Sequence, residues 1–82
     1  MQNRISREEL VRIYNIEITF FDSLEEAGLV EIELENEVKY LNYDHLSKFE
    51  KLVNRHYDLD INLPGLEVIQ HLLQKIHDLQ KE

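Results

Sequence analysis

Apolar residues recur at helical spacing in four stretches of the chain, separated by one stretch that alternates instead. Leu10, Ile13 and Tyr14 predict a short first helix with a buried stripe. Ser6-Arg7-Glu8-Glu9 fits a capping box ahead of it. The Ser6 hydroxyl can accept the Glu9 amide proton, and the Glu9 carboxylate can reach back to the Ser6 N–H. Ile5 serves as the staple residue opposite Leu10, and Asn15 is a left-handed turn residue that ends the helix. Ile16, Phe20, Leu24 and Ala27, widened by Phe21, predict a second helix from about Glu17 to Ala27 with Gly28 as its C-cap. Leu46, Phe49, Leu52, Val53 and Tyr57 predict a third, capped by Asn42 or Asp44. Asn62 and Pro64 then open a last helix along Leu66, Ile69, Leu73 and Ile76, broadened by Leu72 and Leu79. Such a stripe either closes the domain's own core or pairs with a second copy.

Residues 30–41 alternate with a period of two. Val30, Ile32 and Leu34 are apolar, Glu31, Glu33 and Glu35 acidic, and Val38 and Tyr40 apolar again. This predicts a hairpin with one wet face. A loop of Glu35-Asn36-Glu37 pairs Leu34 with Val38 and Ile32 with Tyr40, which keeps the apolar side together and sets Glu33 across from Lys39. The order is helix, helix, two-stranded wing, helix, helix: a mainly α winged helix-turn-helix.

Charge redirects the functional expectation. Of the net charge of −8, the predicted second helix (Glu17, Asp22, Glu25 and Glu26, with no Lys or Arg) holds −4 over residues 17–28. The wing (Glu31, Glu33, Glu35 and Glu37 against Lys39) holds −3 over residues 29–41. Non-specific affinity for DNA comes from Lys and Arg displacing counterions from phosphates. An acidic second helix and wing are repelled by that surface and suit a basic protein partner. Glu25 and Glu26 oppose the helix dipole in the last turn, a cost of about 0.3–1 kcal/mol each, so folding alone does not call for them.

With 82 residues, a single domain over residues 1–82 is expected, burying about 60–65% of its unfolded surface. The chain has no cysteine, so there is no disulfide or thiolate metal site, which fits a reducing compartment. No apolar run approaches the roughly 20 residues that span a bilayer. Met1-Gln2-Asn3-Arg4 lacks a signal-peptide layout, so a cytoplasmic location is expected.

Ile5-Ser6 through Ile16, the Glu25-Glu26-Ala27-Gly28-Leu29 turn, Val38-Lys39-Tyr40-Leu41-Asn42 running into Asp44-His45-Leu46, and Asn62-Leu63-Pro64-Gly65-Leu66-Glu67 together resemble the MerR-like domain. More narrowly, the chain resembles the bacterial chaperone modulators called CbpM over nearly its whole length. The segment from Tyr57 to Leu63 and the helix after it are the most specific part. That resemblance implies a short non-enzymatic protein that binds the J-domain of a DnaJ-like co-chaperone (CbpA) and inhibits it. A J-domain presents a basic helix, so Asp22, Glu25, Glu26, Glu31 and Glu33 become the candidate partner-binding residues. Arg7, Arg12 and Tyr14 of the first helix could border the site.

The departures from DNA-binding MerR proteins are informative. Where those offer arginines and tyrosines on the second helix, this chain has Thr19, Asp22, Ser23 and Leu24. Where their wing has glycine, tyrosine and arginine, it has Glu37, Val38 and Lys39, leaving Lys39 as the one phosphate contact. The alternative function is a MerR-like transcriptional regulator on DNA. It would need cations from another subunit or from residues 1–16, which carry +1.

Other chemistry has little footing. Asp58-x-Asp60-x-Asn62 resembles the start of a calcium loop, but Leu63 and Ile69 occupy the positions where glycine and glutamate are required. A helix stop followed by an N-cap is the expected role. His56, His71 and His77 form no ligand set, and no serine–histidine arrangement or glycine-rich phosphate loop supports catalysis. No cofactor, metal or membrane surface is expected, and nucleic acid is disfavoured. Phe20, Phe21, Tyr40, Tyr43 and Phe49 are expected mainly in the core, with Tyr43 the exposed member.

Overall fold

The computed structural model describes residues 3–80. In chain order it holds β1 (Arg4–Ser6), α1 (Arg7–Tyr14), α2 (Ile18–Glu26), β2 (Glu33–Glu35), β3 (Val38–Asn42), a short 3-10 turn (Tyr43–His45), α3 (Leu46–Tyr57) and α4 (Leu63–Gln80). The four predicted helices are present, but the expected two-stranded wing is part of a sheet of three antiparallel strands in the order β1-β3-β2, because Arg4–Ser6 pairs with the free edge of β3.

Local chemistry explains where the helices begin and end. Ser6 caps α1, its Oγ accepting from Glu9 N at 3.2 Å. The reciprocal half of the capping box is displaced: the Glu9 carboxylate accepts instead from Arg12 Nη2 at 3.1 Å, and Ser6 belongs to β1, opposite Tyr40. Asn15 ends α1 at φ 55. Asparagine tolerates that left-handed backbone, and the Ile16 amide returns to Val11 O at 3.1 Å. Gly28 does the same after α2 at φ 74. There Leu29 N donates to Leu24 O at 2.9 Å and Gly28 N to Glu25 O at 3.0 Å, the paired bonds of a Schellman motif. Asn42 Oδ1 accepts from Asp44 N at 2.8 Å and caps the 3-10 turn that leads into α3. Asn62 Oδ1 accepts from Gly65 N at 2.9 Å and caps α4.

The hairpin departs from the predicted register. Glu35 pairs with Val38, Leu34 with Lys39 and Glu33 with Tyr40, so the turn has two residues, Asn36 and Glu37, and not three. Both have positive φ, 51 and 67, as in the turn whose twist matches that of the flanking strands. This shift moves every side chain of β3 to the opposite face from the one expected. Leu41, opposite Ile5, is the buried residue. Tyr40 is turned to the other face, and Glu33 meets Tyr40 in place of Lys39. The apolar side survives because Leu41 takes the place expected for Tyr40. Leu34 lies beyond the reach of the core and is 69% exposed.

Leu10, Ile16, Phe20, Phe21, Leu24, Leu29, Val30, Leu41, Phe49, Leu52, Val53 and Leu66 form one buried cluster. Phe49 sits at its centre, edge-on to Tyr14 with ring centroids 5.4 Å apart and 5.9 Å from Phe21. Ile13, predicted buried, is 54% exposed. An eight-residue helix has room for only one stripe, and the stripe taken runs through Leu10, Val11 and Tyr14. From α4 only Leu66 is buried; Leu72, Leu73, Ile76 and Leu79 lie exposed along its outer length. No helix among the described residues is long and apolar enough to cross a membrane.

Candidate functional site

Two of the three acidic residues of α2, Asp22 and Glu25, sit one turn apart on the flank that meets the N-terminus of α1 and the β2–β3 hairpin. Two cations converge on this region, one from α1 and one from β3. Arg7, first residue of α1, reaches Asp22 Oδ1 at 3.0 Å and Glu8 Oε2 at 2.8 Å. Lys39 of β3 shares the core-facing side of the sheet with Leu41, at its margin. From there its Nζ reaches Glu25 Oε1 at 2.6 Å and stands 3.9 Å from Asp22 Oδ1. The result is a continuous chain, Glu8–Arg7–Asp22–Lys39–Glu25, joining α1, α2 and the wing.

Charge pairing shifts the proton affinity of three of its members. The Glu8 carboxylate, hydrogen-bonded by Arg7, is held below the usual carboxylate range. Arg7 is raised by Glu8 and then by Asp22, and Lys39 is raised chiefly by its bond to Glu25. These groups are largely wet, and exposed ion pairs contribute little stability. Their effect is positional: the lattice fixes the wing against α2.

A second lattice lies on the opposite face of the sheet. Arg4 of β1 pairs with Glu33 Oε1 at 3.1 Å and with Glu35, and its guanidinium sits 4.1 Å over the Tyr40 ring. Glu35 first and Glu33 second raise the Arg4 guanidinium. The register explains this grouping, since Glu33, Glu35, Tyr40 and Arg4 all project from one face only when the turn is Asn36-Glu37.

The five candidate partner-binding residues are therefore not one equivalent surface. Asp22 and Glu25 are joined through Lys39, and Glu33 belongs to the outer face of the sheet. Glu26, the last residue of α2, makes no ion pair among the described residues. Glu31, in the link to the wing, has an 89% exposed side chain whose nearest basic group is His45 Nε2 at 3.9 Å. Glu26 and Glu31 thus offer carboxylates without rearrangement, whereas Asp22, Glu25 and Glu33 would first have to share or release a cation. Of the first-helix residues proposed to border the site, Arg7 lies inside it. Arg12 pairs with Glu9, and Tyr14 packs inward on Phe49. Sequence spacing gave no sign of Arg4 or Arg7 as partners of these acids, because each pair spans fifteen or more positions of the chain.

Lys39, the one phosphate contact expected on the wing, is committed to Glu25 and points to the α2 side of the sheet. An arrangement that grips DNA needs several cations facing outward. Here the second helix presents carboxylates, and the wing's lysine is bound by one of them.

The remaining sequence candidates have structural roles. Asp58 is the C-cap of α3, Asp60 takes φ 56, and Asn62 caps α4, which is a helix stop followed by a helix start. His56 stacks on Phe20 at 4.2 Å, with its Nδ1 2.9 Å from Ile61 O. Among the described residues no three His, Cys, Asp or Glu side chains come together as a metal site. Tyr43 is exposed, as expected.

Comparisons with curated proteins and with solved structures find no match. A family model described as MerR HTH family regulatory protein matches residues 5–82, nearly the whole chain, and the protein belongs to that family.

Proposed function

We propose that this MerR-family protein is a non-enzymatic, cytoplasmic modulator that binds and inhibits the J-domain of a DnaJ/CbpA-like co-chaperone. The observation that carries the proposal is the acidic α2 flank with its wing lysine bound to Glu25 at 2.6 Å. The surface that would face phosphates in a DNA reader offers Glu26 and Glu31 in their place. Family membership supports it, because the CbpM modulators are placed within the matched family. A carboxylate-rich face steers toward the basic helix of a J-domain and excludes it from its Hsp70 partner by occupancy, with an association rate that falls as salt rises. Titration against an isolated J-domain at low and high ionic strength tests this. Binding that weakens with salt, together with loss of J-domain-stimulated Hsp70 ATPase, is the expected result; no binding at either salt concentration ends the proposal.

The exposed apolar side chains Leu72, Ile76 and Leu79 of α4 support pairing with a second copy. Sedimentation tests this, and a monomer at high concentration would refute it. The second functional reading, a transcription regulator on DNA, is favoured by the family match alone. Operator-specific binding in a low-salt gel shift would establish it over the first.

A further inference from the structure

Seven of the nine lysines and arginines fall into two groups. Arg4, Arg7, Arg12 and Lys39, all before α3, are each held by a carboxylate. Lys48, Lys51 and Arg55 of α3 make no ion pair within 4.0 Å among the described residues. Their spacing places them on one side of the helix, at about 100° per residue. All three line a cleft whose far wall is α4. Glu50, the only carboxylate on α3, is on another side. It lies beside the Tyr14 hydroxyl on α1, which burial and then Glu50 hold protonated above the ordinary tyrosine range.

The cleft is otherwise neutral and partly apolar. Asp44 is the one carboxylate in its lining, against the three cations. From α4 come Gln70, Gln74 and the half-exposed Leu73. Gln74 Nε2 donates to Asp78 Oδ1 at 3.1 Å, which holds that carboxylate one turn further along α4. Lys75 on α4 is likewise without an ion pair among the described residues but lies outside this lining. In a chain of net charge −8, the three α3 cations stand together against a leucine.

We propose that the α3–α4 cleft is a docking site for an acidic amphipathic segment of another protein. Lys48 to Arg55 spans about 10.5 Å, or two helical turns. A helix bearing carboxylates at i, i+3 or i+4, and i+7 matches that spacing, and one apolar side chain between them meets Leu73. Nucleic acid fits less well. Three cations supply few phosphate contacts, and the overall negative charge repels a polyanion at long range. A peptide with two or three carboxylates carries too little charge to be turned away. The cleft adjoins the acidic flank, since Lys48 and Glu31 line one small pocket, but its test reads an acidic peptide and not a J-domain, so failure here leaves the J-domain proposal standing, and the reverse.

The test uses the full chain and a fluorescein-labelled peptide of about twelve residues, with Glu at helical i, i+3 or i+4 spacing interleaved with Leu. Its Gln analogue and a single-stranded DNA oligonucleotide are run alongside. Anisotropy at low salt is expected to show the Glu peptide binding, with the Gln analogue at least about tenfold weaker. K48Q/K51Q/R55Q should lose at least about tenfold in affinity while melting like the parent, since these side chains are unpaired. Amide shift changes in the unmodified protein, centred on α3 and the facing turns of α4, give a readout independent of any variant. The proposal is overturned if the Glu peptide does not bind, if the triple variant binds it equally, if the shifts map elsewhere, or if the oligonucleotide binds as tightly as the peptide.

Discussion

Replacing Glu37 by glycine should stabilise the protein, because the hairpin turn holds a glutamate at φ 67. A residue with a Cβ is disfavoured in the left-handed region by about 1–2 kcal/mol. Glycine removes that penalty but gives the unfolded chain more freedom, which costs about 0.4–1 kcal/mol. The difference is about 0.5–1 kcal/mol in favour of Glu37→Gly, and it creates the Asn-Gly pair most suited to this turn. For 82 residues the unfolding entropy is about 0.17 kcal/mol/K, from about 2.1 cal/mol/K per residue, so Tm should rise by roughly 3–6 °C. Scanning calorimetry or far-UV circular dichroism of the two proteins at matched concentration reads this directly. Glu37 makes no ion pair among the described residues, so no lost contact offsets the gain. An unchanged or lower Tm would refute the reasoning and point back to a three-residue loop, in which Glu37 need not adopt this backbone.

Phe49→Ala empties the centre of the core, where the ring touches both Tyr14 and Phe21. A cost of about 3–5 kcal/mol is expected, lowering Tm by roughly 20–30 °C or leaving the chain unfolded; a loss under about 1 kcal/mol in urea titration would mean the site collapses freely. Asn62→Ala removes the cap on Gly65 N and should cost about 1 kcal/mol, with amide exchange quickening in the first turn of α4 before anywhere else. The depressed Glu8 carboxylate contributes stability above the ordinary carboxylate range and loses it as pH falls through its folded value. The Tm advantage of the parent over Glu8→Gln should therefore shrink between about pH 5 and pH 3. An advantage that grows on acidification would reverse the sign of the Arg7 interaction.

Helix positions were legible in the sequence because each has both a periodic stripe and a chemical terminus. Asn15, Gly28 and Asn62 end or start helices where the spacing of apolar residues placed them. The sheet was less legible for three physical reasons. β1 is three residues long, with Ile5 its only apolar member, too short for alternation to register. Alternation in 30–41 fits two turn lengths, and the choice is made by a pair of left-handed residues, one of them a glutamate that carries no sequence signal for that backbone. Tyr40 and Leu41 are both plausible inward residues, so one step of register decides which is buried. The acidity of α2 and the wing could be counted along the chain. That Arg4 would pair with Glu33 and Glu35, Arg7 with Asp22, and Lys39 with Glu25 in place of Glu33 could not, since those contacts depend on strand order and on the packing of α1. For α4 the stripe was legible, but its division into a buried Leu66 and an exposed outer length follows from the small core beneath it.

Reversing Glu26 and Glu31 to lysine, two carboxylates outside both lattices, leaves Arg4, Arg7 and Lys39 with their partners and changes only the charge offered outward. Stopped-flow association with an isolated J-domain, at low and at near-physiological salt, is the most direct measurement. E26K/E31K should associate at least about fivefold more slowly than the parent at low salt, with the gap narrowing as salt rises. Equal association rates for the two proteins at low salt would contradict the claim that this acidic flank meets a cationic polypeptide.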